Sequence, residues 1–309
     1  MPGKYTYGPV PSRRLGFSLG IDLIPFKNCS FDCIYCQLGK TTNKTIERKE
    51  YFRYEEILRE VKDTIEKGGR IDYLTFSGSG EPTLHSRLGH LINELKKITK
   101  IPIAVLTNGT LLFMPDVQQD LLEADVVLPT LCTTTQKIFQ KINRPYSTLN
   151  IEKIIQGQIG FRKKYKGKIW LEIMLVKGIN DTQAEINKLN EVVKEIAPDK
   201  IHLNTVVRPP SEKYASPLSI EELQRIKNVF GSKCEVIAGF KDKREALYPQ
   251  DIEKTIMELT KRRPVTLEDI SNVTGLHKNE IIKYIDHLQQ EKKIALTEHG
   301  GQNYYEAIG

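Results

Sequence analysis

The chain contains no apolar run long enough to cross a bilayer, which takes about 20 consecutive apolar residues in a helix. Its first residues, Met1-Pro2-Gly3-Lys4-Tyr5, hold no apolar signal region. A cytoplasmic location without membrane association is therefore expected. Internal repeats and low-complexity segments are also missing, which sets aside repeat architectures. Cysteine is scarce, with five in 309 residues. Three of them lie within eight residues, whereas Cys132 and Cys234 stand alone. An odd, clustered set excludes a disulfide framework and points to metal or redox chemistry.

What is present bounds the class. A hydrophobic fraction of 39% with 28% charged residues describes a soluble globular protein. A chain of this length suits one large domain with a small appendix. The formal charge of +7 is uneven: residues 251–309 hold eight basic and ten acidic groups, so the remaining 250 residues carry about +9. That excess reads either as a surface for an anionic substrate or nucleic acid, or as a solvated lysine-rich face.

Asn28-Cys29-Ser30-Phe31-Asp32-Cys33-Ile34-Tyr35-Cys36 is a C-x3-C-x2-C triplet. Thiolates suit iron–sulfur clusters and zinc. Structural zinc closes its site with four ligands, and no fourth cysteine lies nearby. A 4Fe-4S cluster held by three cysteines leaves one iron open to a group that is not protein.

Apolar β-rich runs alternate with helical patterns. Strands are expected at Phe17–Ile24, Ile71–Phe76, Ile101–Leu106, Asp125–Thr130, Lys168–Val176 and Lys200–Val207. Helical spacing lies between them, as in Tyr54–Lys67, where Ile57, Leu58, Val61 and Ile65 share one face and Gly68-Gly69 stops the run. Six such units imply a parallel α/β fold, closed into a barrel or left as an open sheet, over residues 1–245. Chemistry in such folds sits at the C-terminal ends of strands. The cysteine loop, Gly78–Glu81, Asn108, Thr130 and Arg208 occupy those positions.

Residues 246–309 read as a separate small domain. Ile252–Leu259, a run opened by Thr266 with Asp269 as a capping box, and Lys278–Gln290 are helical, and Ile294–Ala307 reads as a hairpin around His299-Gly300-Gly301. Three helices and a hairpin make a winged helix-turn-helix. Its net charge of about −2 lacks the basic footprint of a DNA reader, so contact with protein or substrate is favoured over DNA.

Ser77-Gly78-Ser79-Gly80-Glu81-Pro82-Thr83 follows the second strand. Its glycines allow close backbone approach to a ligand, and Glu81 adds a carboxylate suited to an ammonium group. The triplet with an aromatic residue before its last cysteine, followed one unit later by Gly-Glu-Pro, resembles the radical S-adenosylmethionine (SAM) superfamily over roughly residues 5–240. That resemblance implies a six-strand partial barrel, a 4Fe-4S cluster on Cys29, Cys33 and Cys36, and SAM on the open iron. It implies reductive cleavage of SAM to a 5′-deoxyadenosyl radical that takes hydrogen from substrate, fed by a flavodoxin- or ferredoxin-type reductant. It places Tyr35 beside the adenine and Gly78, Gly80 and Glu81 toward the methionine amino group. Asn108, Thr130 and Glu172 fall where such enzymes contact ribose or carboxylate.

Tyr7–Gly16, Lys177–Asp181 and Asn204–Pro210 resemble a narrower, uncharacterised subgroup grouped with the wyosine-type tRNA-modifying radical enzymes. That subgroup has Ser-Leu-Asp-Ala where this chain has Thr130-Leu131-Cys132-Thr133. Cys132, in place of an acid, reads as a reactive thiol or hydrogen donor, or as a small packing residue. Arg13, Arg14 and Arg208 are candidates for holding an anionic group, since guanidinium pairs bidentately with phosphate or carboxylate. The substrate options are a tRNA base, a peptide or a small anionic metabolite. A competing reading is an iron–sulfur redox sensor acting through a DNA-binding winged helix, although a sensor needs no barrel.

Overall fold

A computed structural model describes residues 5–12, 14–208, 210–238, 250–299 and 302–308. Arg13 and the expected boundary between the two domains lie outside the described residues. Two strands open the chain, β1 (Thr6–Ser12) and β2 (Gly16–Ile21), followed by the short β3 (Asn28–Cys29) and β4 (Asn43–Lys44). After α1 (Tyr54–Glu66) come β5 (Tyr73–Phe76), a 3-10 turn (Pro82–Leu84), α2 (Leu88–Ile98) and β6 (Ile103–Thr107). Then follow α3 (Pro115–Leu121), β7 (Val126–Leu131), α4 (Gln136–Asn143), α5 (Ile151–Lys164) and β8 (Lys168–Leu175). The unit closes with α6 (Gln183–Ile196), β9 (Lys200–Thr205), α7 (Ile220–Phe230) and β10 (Cys234–Val236).

These strands build one eight-stranded sheet in the order β1-β2-β5-β6-β7-β8-β9-β10. The pairs from β2 to β10 are parallel, and β1 runs antiparallel to β2 at one edge. The six strands expected from the sequence are all present, with β1 and β10 added at the two edges. The mixed α/β fold with its parallel sheet agrees with the architecture expected from the sequence.

Alternation along the strands separates the two faces of the sheet. Leu19, Ile21, Leu74, Phe76, Val105 and Val127 pack outward on α1, α2 and α3. Leu171, Ile173, Leu175, Ile201 and Leu203 do the same against α5, α6 and α7. The inner face is graded. Leu15, Ala104, Val126, Leu128 and Trp170 plug its lower part with apolar side chains. Above them Ser18, Thr75, Thr130 and Glu172 present polar groups to a cavity. Helix ends are fixed locally: Asn150 caps α5, Thr182 caps α6, and Ser219 with Glu222 forms a capping box on α7.

The C-terminal residues form α8 (Gln250–Arg262), α9 (Leu267–Thr274), α10 (Lys278–Gln290) and the antiparallel pair β11 (Ile294–His299) and β12 (Gln302–Ala307). They have their own core, centred on Ile256, Ile270, Ile281, Ile285 and Leu288. Thr266 and Asp269 cap α9 reciprocally. A backbone bridge from Val265 to Tyr305 ties the helices to the hairpin.

Candidate active site

The C-terminal ends of the strands surround a cavity of about 710 Å³. Cys29, Cys33, Tyr35 and Cys36 line it, and Gly78, Gly80 and Glu81 face them from the loop after β5. Asn108, Thr130, Glu172, Arg14 and Arg208 reach it from further round the sheet. The structure thus gathers every described candidate residue except Cys132 around one space.

The cysteine loop is short of regular structure and is held by backbone contacts instead. Ile34 donates to Ile142 O (2.9 Å), Asp32 to Asn143 O (3.0 Å), and Cys36 to Cys33 O (3.1 Å). Asp32 in turn accepts from the Thr41 amide at 2.7 Å. Burial pushes the Cys29 thiol up to about 12, with Glu81 adding to the rise. Cys33 is also pushed well above the usual thiol range, first by burial and then by Cys132. Among the described residues, no three His, Cys, Asp or Glu side chains converge on a single ion.

The glycine loop is placed by contacts that no side chain would allow. A Cβ on Gly80 would lie 1.9 Å from Asn28 O, and Gly78 has φ +151 with Asp22 against it. Asp22 is buried and accepts from Ser79 N at 3.0 Å and from Ser79 Oγ. Glu81 is 2% exposed. Its Oε1 accepts from Thr83 N (3.1 Å), Thr83 Oγ1 (2.6 Å) and Thr107 Oγ1 (2.6 Å), and its Oε2 from Asn108 N (2.7 Å). Burial raises the pKa of this carboxyl, and the Thr107 and Thr83 hydrogen bonds oppose the rise. The carboxylate therefore ties the loop after β5 to the end of β6. Gly78 and Gly80 line the cavity, while the Ser79 backbone between them is taken up by Asp22 and Lys27.

Thr130 and Glu172 are partners in the β7–β8 register. Glu172 Oε2 accepts from Thr130 Oγ1 (3.2 Å) and pairs with Arg14 (3.1 Å), while Oε1 accepts from Asn204 Nδ2 (2.6 Å). The Arg14 guanidinium is thus neutralised within the barrel. Arg208 is held as well, by Asp286 at 3.2 Å and Gln37 at 2.6 Å. Cys132 is 4% exposed and packs with Ile34, Met174, Val176 and Val206, behind the cavity wall. Its sulfur meets Tyr35 Oη at 3.2 Å and Asn143 Nδ2 at 3.5 Å. Burial raises its pKa to about 11. A buried thiol of this kind packs and orients the Tyr35 ring.

Sequence reasoning missed two sets of residues. Ser18 lines the cavity, and Lys27, Asn143 and Asn204 touch its lining residues Cys36, Cys33 and Glu172. None of the four was singled out as a site residue, although Asn204 opens the Asn204–Pro210 stretch. The second set comes from α10, whose Asn279, Lys283, Asp286 and Gln290 line the mouth of the cavity. That helix is anchored on the barrel. His277 stacks on Tyr7 with ring centroids 5.0 Å apart and meets Asp22 at 3.2 Å. Asn279 Nδ2 lies 3.5 Å from Asp22, and Glu280 accepts from Gly8 N at 3.3 Å. Tyr7 can lie there because β2 offers Gly20 beneath its ring, where a Cβ would come within 2.1 Å.

A parallel half-barrel carrying three thiols and a glycine loop at its strand ends defines a class of SAM-dependent iron–sulfur proteins. The chain belongs to the radical SAM superfamily, which matches residues 23–189, and within it to the UPF0026 proteins. It is 40% identical over 308 residues to a UPF0026 protein of Methanocaldococcus jannaschii, covering 97% of this chain and 95% of that one. It is 28% identical to a probable dual-specificity RNA methyltransferase of Thermotoga petrophila, over 65% of this chain and 58% of the relative. Among solved structures, TYW1 with a bound lysine-pyruvate adduct matches with a TM-score of 0.50 and 18% identity, covering 69% of this chain and 72% of that one. Streptococcus suis SuiB bound to S-adenosylmethionine matches with a TM-score of 0.52 and 15% identity, covering 68% and 46% respectively. At these identities the structures share the fold alone. Members of the superfamily are enzymes that use a 4Fe-4S cluster and SAM. Among the described residues, no helix is long and apolar enough to cross a membrane.

Proposed function

We propose that this protein is a radical SAM enzyme whose cluster is held by Cys29, Cys33 and Cys36. The observation that carries the reading is the meeting of the three thiols with the Gly78–Gly80 backbone across one cavity at the strand ends. The bound group would supply one-electron reductive cleavage of SAM, giving a 5′-deoxyadenosyl radical that takes hydrogen from substrate. The donor set fits it: a cubane takes one thiolate on each of three irons, so its ligands need not converge on a point.

Each residue then has a defined task. The Gly78–Gly80 backbone receives the methionine amino group, while Glu81 fixes that backbone through Thr83, Thr107 and Asn108. The Tyr35 ring borders the adenine, set in place by its hydroxyl contact with Cys132. Thr130, Glu172 and Asn204 offer polar groups to ribose or substrate. The half-barrel and α10 together exclude water from the reacting atoms. An external one-electron donor of the flavodoxin or ferredoxin type supplies the electron.

The DNA-binding sensor reading loses support from the placement of α10. In a winged helix the third helix is the one offered to DNA, and here its polar side chains face the cavity and Asp22. The experiment is anaerobic reconstitution followed by incubation with SAM and reductant. We expect a brown protein that releases 5′-deoxyadenosine, and a colourless protein with stoichiometric zinc would overturn the reading. Incubation with separate pools of tRNA, peptides and small metabolites then identifies the substrate class by coupled loss of SAM.

A further inference from the structure

Each of the three cysteine sulfurs meets one side-chain N–H donor, and each donor comes from a different part of the chain. Lys27 Nζ lies 3.2 Å from Cys36 Sγ. Asn108 Nδ2 lies 3.5 Å from Cys29 Sγ. Asn143 Nδ2, at the end of α4, lies 3.4 Å from Cys33 Sγ.

The donors are held in place by more than their sulfur contacts. Asn108 Oδ1 accepts from Thr110 N (3.0 Å) and Thr110 Oγ1 (2.6 Å), which fixes the amide so that its NH2 points to the cysteine loop. Asn143 is 2% exposed. Lys27 is 3% exposed, and its backbone is pinned by Ser79 O at 2.7 Å and Asn43 N at 3.2 Å. A buried ammonium is costly unless an anion faces it. A neutral thiol does not meet that need, whereas an iron-bound thiolate does.

We infer that Lys27, Asn108 and Asn143 are positioning residues for the cluster: a ring of donors, one to each ligating sulfur, that raises the cluster's reduction potential. The inference rests on the proposed function above. Reduction transfers one electron from an external one-electron donor to the oxidised cluster, with no bond made or broken and no proton required. The added negative charge is stabilised by N–H donors at the sulfurs and most by the Lys27 ammonium, through the general effect of hydrogen bonds and charge around a cluster.

The test is a dithionite titration of the anaerobically reconstituted full chain, with reduction followed by electron paramagnetic resonance. Lys27→Met removes charge and donor, Lys27→Gln keeps an N–H but removes the charge, and Asn143→Leu removes one neutral donor. Lys40→Met, at an exposed lysine of the same loop, is the control. We expect Lys27→Met to lower the reduction equilibrium constant about tenfold, a shift of about 59 mV to more negative potential for a one-electron couple. Lys27→Gln and Asn143→Leu should shift it less in the same direction, and Lys40→Met should leave it in place. If Lys27→Met does not assemble a cluster, the other two variants carry the comparison. Assembled clusters with coincident potentials in all variants would overturn the inference while leaving the proposed function standing. A wild-type chain that binds no 4Fe-4S cluster would overturn both.

Discussion

At the scale of single residues, Glu81 and His202 show how burial assigns work. Glu81 sits in a motif that invites a ligand-binding role, yet its carboxylate is filled by four donors from the chain itself. Glu81→Gln should therefore place an amide N–H against existing donors and lower stability by about 1–3 kcal/mol, measured by urea unfolding without cofactor. His202 is buried beneath the cavity with its ring edge-on to Trp170. Burial, helped by the Arg14 charge, lowers its pKa from 6.5 to about 4. The unfolded chain then binds a proton that the folded chain refuses, so this contribution is complete above pH 6.5 and is lost as pH falls toward 4. It amounts to at most about 3 kcal/mol. His202→Phe should flatten that acid slope in unfolding curves collected between these limits, and an unchanged slope would exclude His202 as its source.

Elements place the site, and their legibility in the sequence depended on their length and position. The six inner strands were readable because parallel strands covered on both faces form apolar runs with helices between them. β1 was hidden by its own composition. Its sequence Thr-Tyr-Gly-Pro-Val-Pro-Ser argues against a strand, yet an edge position tolerates proline. β10 is three residues long and gives no period to detect. The cysteine triplet and the glycine loop were visible because their chemistry is compressed into consecutive residues. Asn143 and Asn204 were not, because each becomes a site residue only through the pairing of distant segments. Lys27, two residues before Cys29, reads as an ordinary surface lysine until the loop folds it back on Cys36. At this scale the glycine loop is the sensitive element. Gly80→Ala would push a methyl group into Asn28 O, where backbone must yield. It should cost about 1–3 kcal/mol and weaken SAM binding by the reconstituted protein in calorimetry. Thr266→Ala, which removes the cap of α9, should cost about 1 kcal/mol and leave SAM binding unchanged.

For the whole molecule, the chief fact is that α10 is both the centre of the C-terminal core and part of the cavity wall. Ile281, Ile285 and Leu288 face the former, while Asn279, Lys283 and Asp286 face the latter. Tyr7, Asp22 and Arg208 are its anchors on the barrel side. Replacing Tyr7 and Arg208 together by Ala should speed hydrogen exchange of the α10 amides while leaving those of α5 and α6 slow. Equal protection in variant and wild type would mean that these contacts do not hold the helix. The sequence suggested an appended module of three helices and a hairpin, with contact to protein or substrate favoured over DNA by its net charge. What it concealed is that the module's polar helix face is spent on the barrel, because the partners Tyr7 and Asp22 lie more than 250 residues earlier in the chain.

The glycine beneath Tyr7 has a consequence for how such chains can be recombined. Gly20 makes room for the ring, the ring receives His277, and His277 begins the helix that walls the cavity. A chimaera that takes its barrel from one relative and its C-terminal unit from another would inherit a mismatched seam at this stack. The two parts should be exchangeable only when Tyr7, Gly20, Asp22 and the start of α10 travel together, so a graft has to carry this seam whole.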